Sequence, residues 1–307
     1  MASRKYLVTG ATGKQGGAVV DALLQHISST SATDIKIFAL SRKPDSPAAK
    51  ILSSKPGVSV IQGAPNNLSA VLEQTGPLDG VFLVSVAVPF HPTAEEEQCM
   101  PALEACFKHG VKHIVFTSAD RGGDVASDST PTAVVHNASK FRIENYLKEK
   151  AQGHGATWTI LRPASFMDNF SPDLMGRVFA VLNAGIGEKP VQMVSLHDVG
   201  RFGAMALLEP GQMQGRAIGL AGDEVTSAQV KTIFRRTMGY ELPQTYGFVG
   251  PLLRTLLKEV RDMMEWLKTD GFKVDIPALK AAFPAMDIQD FQTWLVESSK
   301  FEKRGDK

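Results

Sequence analysis

The sequence predicts an α/β protein with a doubly wound parallel sheet and a smaller C-terminal α/β lobe. Short apolar runs alternate with helical patterns over the first 165 residues, and the runs are β-branched and apolar at nearly every position. Strands that are covered by helices on both faces have this composition. Strict alternation of β and α segments implies right-handed crossovers, and ligands of such sheets bind beyond the carboxyl ends of the strands.

The first part of the chain supplies the predicted sheet. Its strands are 5–9, 35–41, 58–62, 80–84, 113–117 and 158–162. The helical patterns between these strands are 17–26, 46–54, 68–74, 94–108 and 132–149.

The regular alternation fades after residue 165, where we expect the smaller lobe, residues 166–307. We expect the chain to return to the first domain, residues 1–165, around 190–210. The predicted strands of this second part are 191–196 and 216–220, and its predicted helices are 197–209 and 226–239. A long amphipathic stretch, 252–268, follows, and residues 277–297 close a lobe in which we expect C-terminal helices.

Composition and charge exclude several classes of protein. The 307 residues are 43% hydrophobic and 21% charged, and 33 basic residues against 32 acidic ones leave a net charge of +1. Because no basic block disturbs this balance, direct binding to nucleic acid or to a membrane surface has no support. The N-terminus enters a strand almost at once and no apolar run approaches 18 residues, so we expect a cytoplasmic protein. Cys99 and Cys106 lie too far apart along one helix to form a disulfide, and no histidine or cysteine spacing suits a metal ion.

A glycine-rich turn follows the first strand and opens the first helix. Gly10, Gly13 and Gly16 give the spacing Gly-x-x-G-x-x-G within VTGATGKQGG. Such a turn brings bare backbone N–H groups and the positive end of a helix against a pyrophosphate. Because Gln15 follows Lys14, where a phosphate-binding loop of an NTPase needs Ser or Thr, that class is excluded. The turn predicts a dinucleotide site.

The end of the second strand separates NAD from NADP. An NAD site places an acidic residue there to bind a ribose hydroxyl. This chain has Ser41-Arg42-Lys43, and guanidinium grips a 2′-phosphate with paired hydrogen bonds. Arg42, with Lys43 and more weakly Lys14, therefore predicts NADP(H); the alternative is a solvated basic pair.

Several stretches together resemble the NmrA-like family of the atypical short-chain dehydrogenase/reductase superfamily, in its fungal form. They are VTGATGKQGG, SRKP, HNASKFRIENYL, ILRPASFMDNF and HDVGRF, with a Gly-Tyr…Trp-Leu region near the C-terminus. The resemblance implies an NADP-binding Rossmann domain and a small C-terminal lobe. The family contains quinone reductases, oxidoreductases of fungal secondary metabolism, and regulators that bind dinucleotide without turnover. Many relatives carry an acidic residue in the loop that here reads GAPNNL, with Asn66 near the expected adenine.

The residues VVHNASK at 134–140 depart from the superfamily pattern. Reductases of the superfamily carry Tyr-x-x-x-Lys on a helix, where i and i+4 share a face. Lys140 fills the lysine position, but His136 stands in place of the tyrosine. Tyr146 and Lys150 repeat the spacing, yet Tyr146 lies about 15 Å further along the helix. Imidazole transfers protons near neutral pH, so His136 is either a replacement acid or a contact to cofactor or loop.

The predicted site residues fall into three groups. We expect Lys140, His136 and Ser118 to be catalytic, with Ser118 polarising the substrate or capping its loop. Phe166, Met167, Asn169 and Phe170 are predicted to face the substrate, although core packing fits Phe166 and Phe170 equally well. The dinucleotide contacts are predicted to be Gly10, Thr12, Gly13, Lys14, Gln15, Gly16, Arg42, Lys43, Asn66, Val86, Lys140, Pro163 and Phe166.

Two functions fit these patterns. The first is an NADP(H)-dependent oxidoreductase that reduces a small aromatic or quinonoid carbonyl between residues 166–170 and the C-terminal lobe. Such a substrate takes protons from water readily, which makes a site without tyrosine workable. The second is a regulator that senses NADP(H), acts through a protein partner and could enter the nucleus. The retained Lys140 favours the enzyme.

Overall fold

The predicted sheet is present in the computed structural model, which describes residues 3–32 and 34–305. Its strands are short and largely buried, and the middle strands are buried at every position. The strands are β1 (Arg4–Val8), β2 (Ile35–Ser41), β3 (Val58–Gln62), β4 (Gly80–Val84), β5 (His113–Thr117), β6 (Thr157–Pro163), β7 (Ser165–Phe166), β8 (Val191–Val194), β9 (Arg216–Leu220) and β10 (Asp223–Val225).

Helices follow most strands of the first part and dominate the second. They are α1 (Lys14–Thr30), α2 (Pro47–Ser53), α3 (Leu68–Thr75), α4 (Ala94–Lys108), α5 (Asp124–Ser129), α6 (Val135–His154), α7 (Leu174–Ala184), α8 (Leu196–Leu208), α9 (Pro210–Met213), α10 (Ser227–Met238), α11 (Val249–Leu256), α12 (Lys258–Thr269), α13 (Ile276–Ala282) and α14 (Phe291–Glu297). In the described residues, no helix combines the length and apolarity that a bilayer crossing requires.

Two sheets are found in the described residues. The larger has the order β3-β2-β1-β4-β5-β6-β9, and β1 to β6 pair in parallel. The smaller has the order β10-β8-β7, with β10 antiparallel to β8 and β7 parallel to it. The order reverses direction between β1 and β4, which is the switch point where doubly wound sheets bind ligands. The predicted fold class is confirmed.

The chain divides into two compact units with separate cores. Unit 1 comprises Met1–Ala119, His136–Arg162 and Val199–Ile218, and the remainder is unit 2. Residues 120–135 lie in unit 2, although the sequence places them in the first domain. The cause is visible at Asp120, whose buried carboxylate accepts a hydrogen bond from the Lys273 backbone N–H at 2.9 Å.

Several helical segments differ from the sequence prediction, and α7, α11 and α12 show why. The long amphipathic stretch 252–268 is broken at Leu257, which has an extended backbone (φ −111°, ψ 106°), so α11 and α12 are separate helices. Helix α7 was not predicted because its glycine and β-branched residues weaken the helical pattern. Its start is fixed by Asp173, whose carboxylate accepts from the Gly176 N–H at 2.9 Å. Capping of this kind stabilises a helix that propensity alone leaves marginal.

Candidate active site

The glycine-rich turn has a geometry that only glycine permits. Gly10 has a φ of +59°, and a Cβ there would lie 2.5 Å from a methyl carbon of Val84. A Cβ on Gly16 would lie 2.5 Å from the carbonyl oxygen of Gly10. The turn is closed by the Gly13 N–H, which donates to the Gly10 carbonyl at 2.8 Å. These contacts set the spacing of the three glycines and hold the backbone close to whatever binds in front of it.

Helix α1 begins at Lys14 with its first turn open to a ligand. Within the described chain, no side chain caps this N-terminus, and the preceding residue is Gly13. Thr12 and Lys14 are exposed. Gln15 is half-buried, and its side-chain oxygen accepts a hydrogen bond from the hydroxyl of Thr117, the last residue of β5, at 2.7 Å. Backbone N–H groups at an uncapped helix N-terminus favour an anion.

Arg42 and Lys43, the basic pair that directly follows β2, are exposed. The hydroxyl of Ser41 accepts from the backbone N–H of Lys43 at 3.2 Å, which fixes the turn. Among residues 3–32 and 34–305, neither Arg42 nor Lys43 has an ion-pair partner, and both side chains are exposed. Asn66 is exposed in a 3₁₀ turn after β3. The guanidinium and ammonium groups are therefore available to an anionic ligand.

Lys140 is held by a buried cluster that the sequence analysis missed. Its ammonium donates to the Glu95 carboxylate at 2.6 Å and to the Ser85 hydroxyl at 2.9 Å. The Ser85 hydroxyl donates to the same carboxylate oxygen at 2.7 Å. The side chains of Lys140 and Glu95 are 13% and 4% exposed. The lysine thus keeps a small accessible surface, while its charge is balanced from the buried side.

Glu95 belongs to the run Glu95-Glu96-Glu97 in the first turn of α4, where carboxylates interact favourably with the helix dipole. Such a run is normally a solvated face, so the pattern gave no reason to single out one member. Glu95 differs because it points inward, against the residue that follows β4. A glutamate at the start of the helix after a strand that is followed directly by serine is the signal that could have identified it.

Ser118 is committed to a second buried cluster. Its hydroxyl donates to Glu144 at 2.5 Å, and the guanidinium of Arg162 donates to both oxygens of that carboxylate, at 3.2 and 2.6 Å. The side chains of Glu144 and Arg162 are each 1% exposed. The Ser118 hydroxyl therefore links β5, α6 and β6, and neither its predicted polarising role nor its predicted loop-capping role is visible in these contacts.

His136 and Tyr146 occupy different parts of α6. His136 is half-buried in the first turn, one turn before Lys140. The Tyr146 hydroxyl donates to Glu104 on α4, and burial together with this hydrogen bond and the glutamate charge raises the pKa of Tyr146 to about 12. Tyr146 is therefore engaged away from the first turn, and the tyrosine position of the site is occupied by His136.

The loop after β4 is fixed at both ends. The side-chain amide of Gln98 donates to the Val86 carbonyl at 2.8 Å and accepts from the Val86 N–H at 3.2 Å. Further on, the Ser139 hydroxyl lies 2.9 Å from both the Pro92 carbonyl and the Glu96 carboxylate. Val86 itself keeps 56% of its surface exposed. The loop is thus held against the residues that flank Lys140.

The predicted residues of unit 2 separate into core and accessible positions. Met167 is fully buried, and Phe170 packs edge-to-face against Phe179 and Phe291 at ring distances of 4.9 and 5.5 Å. Pro163 is also buried, at the end of β6, whereas Phe166 and Asn169 are half-buried. Core packing is therefore the observed role of Met167 and Phe170, and a substrate contact stays a prediction for Phe166 and Asn169.

The structure shows neither a disulfide nor a metal-binding cluster within the described residues. Cys99 and Cys106 are free and fully buried on α4, and burial raises the pKa of each thiol to about 12. Residues 3–32 and 34–305 contain no group of three or more His, Cys, Asp and Glu side chains that could hold a metal ion.

Two curated relatives resemble this chain in sequence. The first is the (4-alkanoyl-5-oxo-2,5-dihydrofuran-3-yl)methyl phosphate reductase of Streptomyces griseus, which is 30% identical over 229 residues, covering 74% of this chain and 71% of the relative. The second is the NmrA-like family domain-containing oxidoreductase lnbB of Aspergillus flavus, which is 25% identical over 263 residues, covering 78% and 75%. The second relative is fungal, in agreement with the style of the motifs.

Two solved structures share the fold. The NADPH-dependent quinone oxidoreductase QOR2 of Escherichia coli, solved with NADPH, superposes with a TM-score of 0.69 at 19% identity, covering 94% of this chain and 97% of its own. NmrA, a negative transcriptional regulator, superposes with a TM-score of 0.67 at 16% identity, covering 97% and 96%. At these identities the likeness extends to the fold alone.

A sequence profile of the NmrA-like family matches residues 2–273. The match includes the glycine-rich turn, the basic pair after β2 and the cluster around Lys140. Because it spans most of the chain, the chain belongs to the NmrA-like family.

Proposed function

We propose that the chain is an NADP(H)-dependent oxidoreductase that reduces a small aromatic or quinonoid carbonyl compound. The observation that carries the proposal is the cluster of Lys140 with Glu95 and Ser85. Burying a charge pair costs desolvation free energy that apolar residues of similar volume avoid. A buried pair at the carboxyl edge of the sheet that leaves 13% of the Lys140 side chain accessible is expected where a ligand uses that ammonium.

The residues of unit 1 fit the parts of a dinucleotide. The backbone of the Gly10–Gly16 turn and the open start of α1 would hold the pyrophosphate, since both present N–H groups and a positive partial charge. Arg42 and Lys43 would hold the 2′-phosphate that distinguishes NADP(H) from NAD(H). Lys140 would donate to ribose hydroxyls, because Glu95 and Ser85 already fix its ammonium on the opposite side.

The chemistry divides between the cofactor and the chain. When bound, the reduced nicotinamide supplies the hydride. His136, one helical turn before Lys140, can hold a proton for the carbonyl oxygen of the substrate, at the position where the superfamily carries tyrosine. A quinonoid product takes its protons from water easily, so this class of substrate makes the least demand on the side chain at position 136.

A second candidate function is an NADP(H)-sensing regulator that acts through a protein partner. The commitment of the Ser118 hydroxyl to Glu144 favours it, because a reductase of this superfamily uses a serine after β5 to polarise its substrate. A sensor would keep the glycine-rich turn and Arg42, bind cofactor tightly and convert none of it.

The first experiment measures NADPH oxidation with a panel of quinones and aromatic ketones, beside the Kd values for NADPH and NADH. Arg42→Ala is expected to weaken NADPH binding about 10- to 100-fold, the effect of losing a charged hydrogen bond of roughly 1.5–3 kcal/mol, and to leave NADH unchanged. Lys50→Ala, an exposed lysine on α2, is the matched control. Equal loss for both cofactors would contradict the role of Arg42.

Turnover separates the two functions. The enzyme predicts NADPH oxidation that His136→Phe reduces for ketones more than for quinones, since ketones depend more on a protein acid. Tight NADPH binding without turnover of any compound would overturn the enzyme and favour the sensor, and a protein that binds neither cofactor would overturn both.

A further inference from the structure

The loop that follows β4 is anchored on both sides of Lys140. It leaves the sheet at Ser85, which accepts a hydrogen bond from the Lys140 ammonium. It returns at Pro92, whose carbonyl lies 2.9 Å from the hydroxyl of Ser139, the neighbour of Lys140. Residues 86–91 between these anchors, which we call the 86–91 turn, therefore begin and end next to residues that contact Lys140 and its neighbour Ser139.

The tip of the 86–91 turn carries an aromatic side chain in an unfavourable backbone conformation. Phe90 has a φ of +62°, in the left-handed region, and 90% of its surface is exposed. The turn is closed by the His91 N–H, which donates to the Val88 carbonyl at 3.1 Å. Left-handed backbone is rare for residues other than glycine and is an outlier for a bulky side chain.

Neither folding nor turn formation explains Phe90. Its ring contributes nothing to a core, because almost all of it faces solvent. Glycine would adopt the same backbone without strain. Val86 and Val88 of the same turn are 56% and 45% exposed, so three apolar side chains face solvent together. Strain of this kind persists where the surroundings over-determine it and clusters at ligand-binding positions.

We propose that Phe90 is the platform on which the planar ring system of the substrate stacks, with Val86 and Val88 beside it. This inference rests on the proposed function and adds the residue that selects the substrate. An aromatic face prefers an offset-stacked or edge-to-face partner. Because the Phe90 ring has few packing contacts within the protein, a flat ring can stack on it without displacing any of them. The fitting substrates are planar compounds with two or more fused rings, and single-ring or aliphatic carbonyls fit less well.

The test measures ring binding separately from turnover. The probe is 2-naphthol, a planar two-ring compound that cannot be reduced by hydride, titrated into protein saturated with NADP⁺. The variants are Phe90→Gly and Phe90→Tyr, and Ile51→Ala is the control because Ile51 is an exposed apolar residue of α2 in unit 1. The Kd for NADP⁺ and the unfolding midpoint are measured for each.

Phe90→Gly is expected to weaken 2-naphthol binding about tenfold, the size of one aromatic contact, and to leave the Kd for NADP⁺ unchanged. Its unfolding midpoint should rise, because glycine relieves the left-handed strain. Phe90→Tyr should retain binding, and Ile51→Ala should match the wild type. In turnover, the KM for a naphthoquinone should rise about tenfold in Phe90→Gly with little change in kcat.

Several outcomes would overturn the inference. One is equal 2-naphthol affinity in the wild type and Phe90→Gly, and another is no binding by the wild type. A third is a dimer that Phe90→Gly converts to monomer with ring binding unchanged, which would assign the turn to a second copy of the chain. Ring binding that depends on Phe90 without NADPH turnover would support ring stacking on Phe90 and overturn the reductase, whereas NADPH turnover with ring binding independent of Phe90 would do the reverse, so the two failures are distinguishable.

Discussion

Replacing Lys140 by methionine is expected to destabilise unit 1 as well as remove a cofactor contact. The substitution leaves the Glu95 carboxylate, which is 4% exposed, with the Ser85 hydroxyl as its one remaining hydrogen-bond donor within residues 3–32 and 34–305. Breaking a buried pair from one side costs about 3–5 kcal/mol, and the 13% exposure of Lys140 favours the lower end. At about 2–4 °C per kcal/mol for a unit of roughly 150–250 residues, the unfolding midpoint should fall by about 6–12 °C.

The partner substitution should recover most of this loss. Glu95→Gln combined with Lys140→Met removes the uncompensated charge and keeps a hydrogen bond to Ser85, so the double variant should unfold within about 1–2 kcal/mol of the wild type. Lys112→Met is the matched control: its ammonium contacts Asp79 at 2.7 Å, but the lysine side chain is 72% exposed, and such pairs contribute about 0–1 kcal/mol.

The assay is thermal unfolding of the single and double variants, followed by the Kd for NADPH. A double variant that is stable and still binds NADPH poorly would assign the binding loss to the ammonium itself. The deciding result is whether the double variant regains the unfolding midpoint. If it unfolds at as low a temperature as Lys140→Met, the uncompensated charge of Glu95 is not the cause of the destabilisation.

Three further predictions follow from burial and close packing. Burial lowers the pKa of His113 from 6.5 to about 4, so the folded state resists protonation; stability present above pH 6.5 should fall by about 3 kcal/mol as the pH drops to 4, and His113→Asn should flatten the curve measured by denaturant titration. Cys99 and Cys106, buried with thiol pKa values raised to about 12, should not react with an aromatic disulfide reagent at pH 8 before unfolding, and a fast phase would contradict this. Gly16→Ala, which places a Cβ 2.5 Å from backbone atoms, should cost about 1–3 kcal/mol and weaken cofactor binding, whereas Gly17→Ala, with 3.4 Å of clearance, should not.

The sequence was sufficient wherever one residue type is required by backbone geometry. The spacing of Gly10, Gly13 and Gly16 predicted the turn because a Cβ at two of these positions would overlap neighbouring atoms. Strands β1 to β6 were equally predictable, since a parallel sheet covered on both faces leaves an unbroken apolar run. In both cases the local chain determines its own conformation.

Contacts between distant segments could not be predicted in this way. The inward direction of Glu95, rather than of its two neighbours, depends on how α4 lies against β4. The strained backbone of Phe90 depends on anchors at both ends of its loop. Leu257 interrupts a continuous amphipathic pattern, and nothing in that pattern marks the position of the break.

Comparing the two buried clusters, Ser85–Glu95–Lys140 and Ser118–Glu144–Arg162, explains why we assign the proposed chemistry to the first of them. Val84 and Thr117 are paired in the register of β4 and β5, so Ser85 and Ser118 follow their strands at equivalent positions. Each serine binds a glutamate from a helix, and each glutamate binds a cation. Arg162, the cation of the Ser118 cluster, has 1% of its side chain exposed, whereas Lys140 has 13%.

A cation that is closed off braces the fold, whereas one that retains surface can contact a ligand. Under the proposed function, the hydroxyl bound to the ligand-contacting cation would therefore be that of Ser85, one strand away from the serine that the superfamily pattern predicts. On that proposal, the departures at Ser118 and His136 belong to one arrangement, in which Lys140 of α6, Glu95 of α4 and Ser85 after β4 would act together. Ser85→Ala removes a hydroxyl that belongs to the Lys140 cluster and not to the superfamily's arrangement, whose serine follows β5. A loss of turnover in Ser85→Ala would therefore distinguish the proposed arrangement from that of the superfamily.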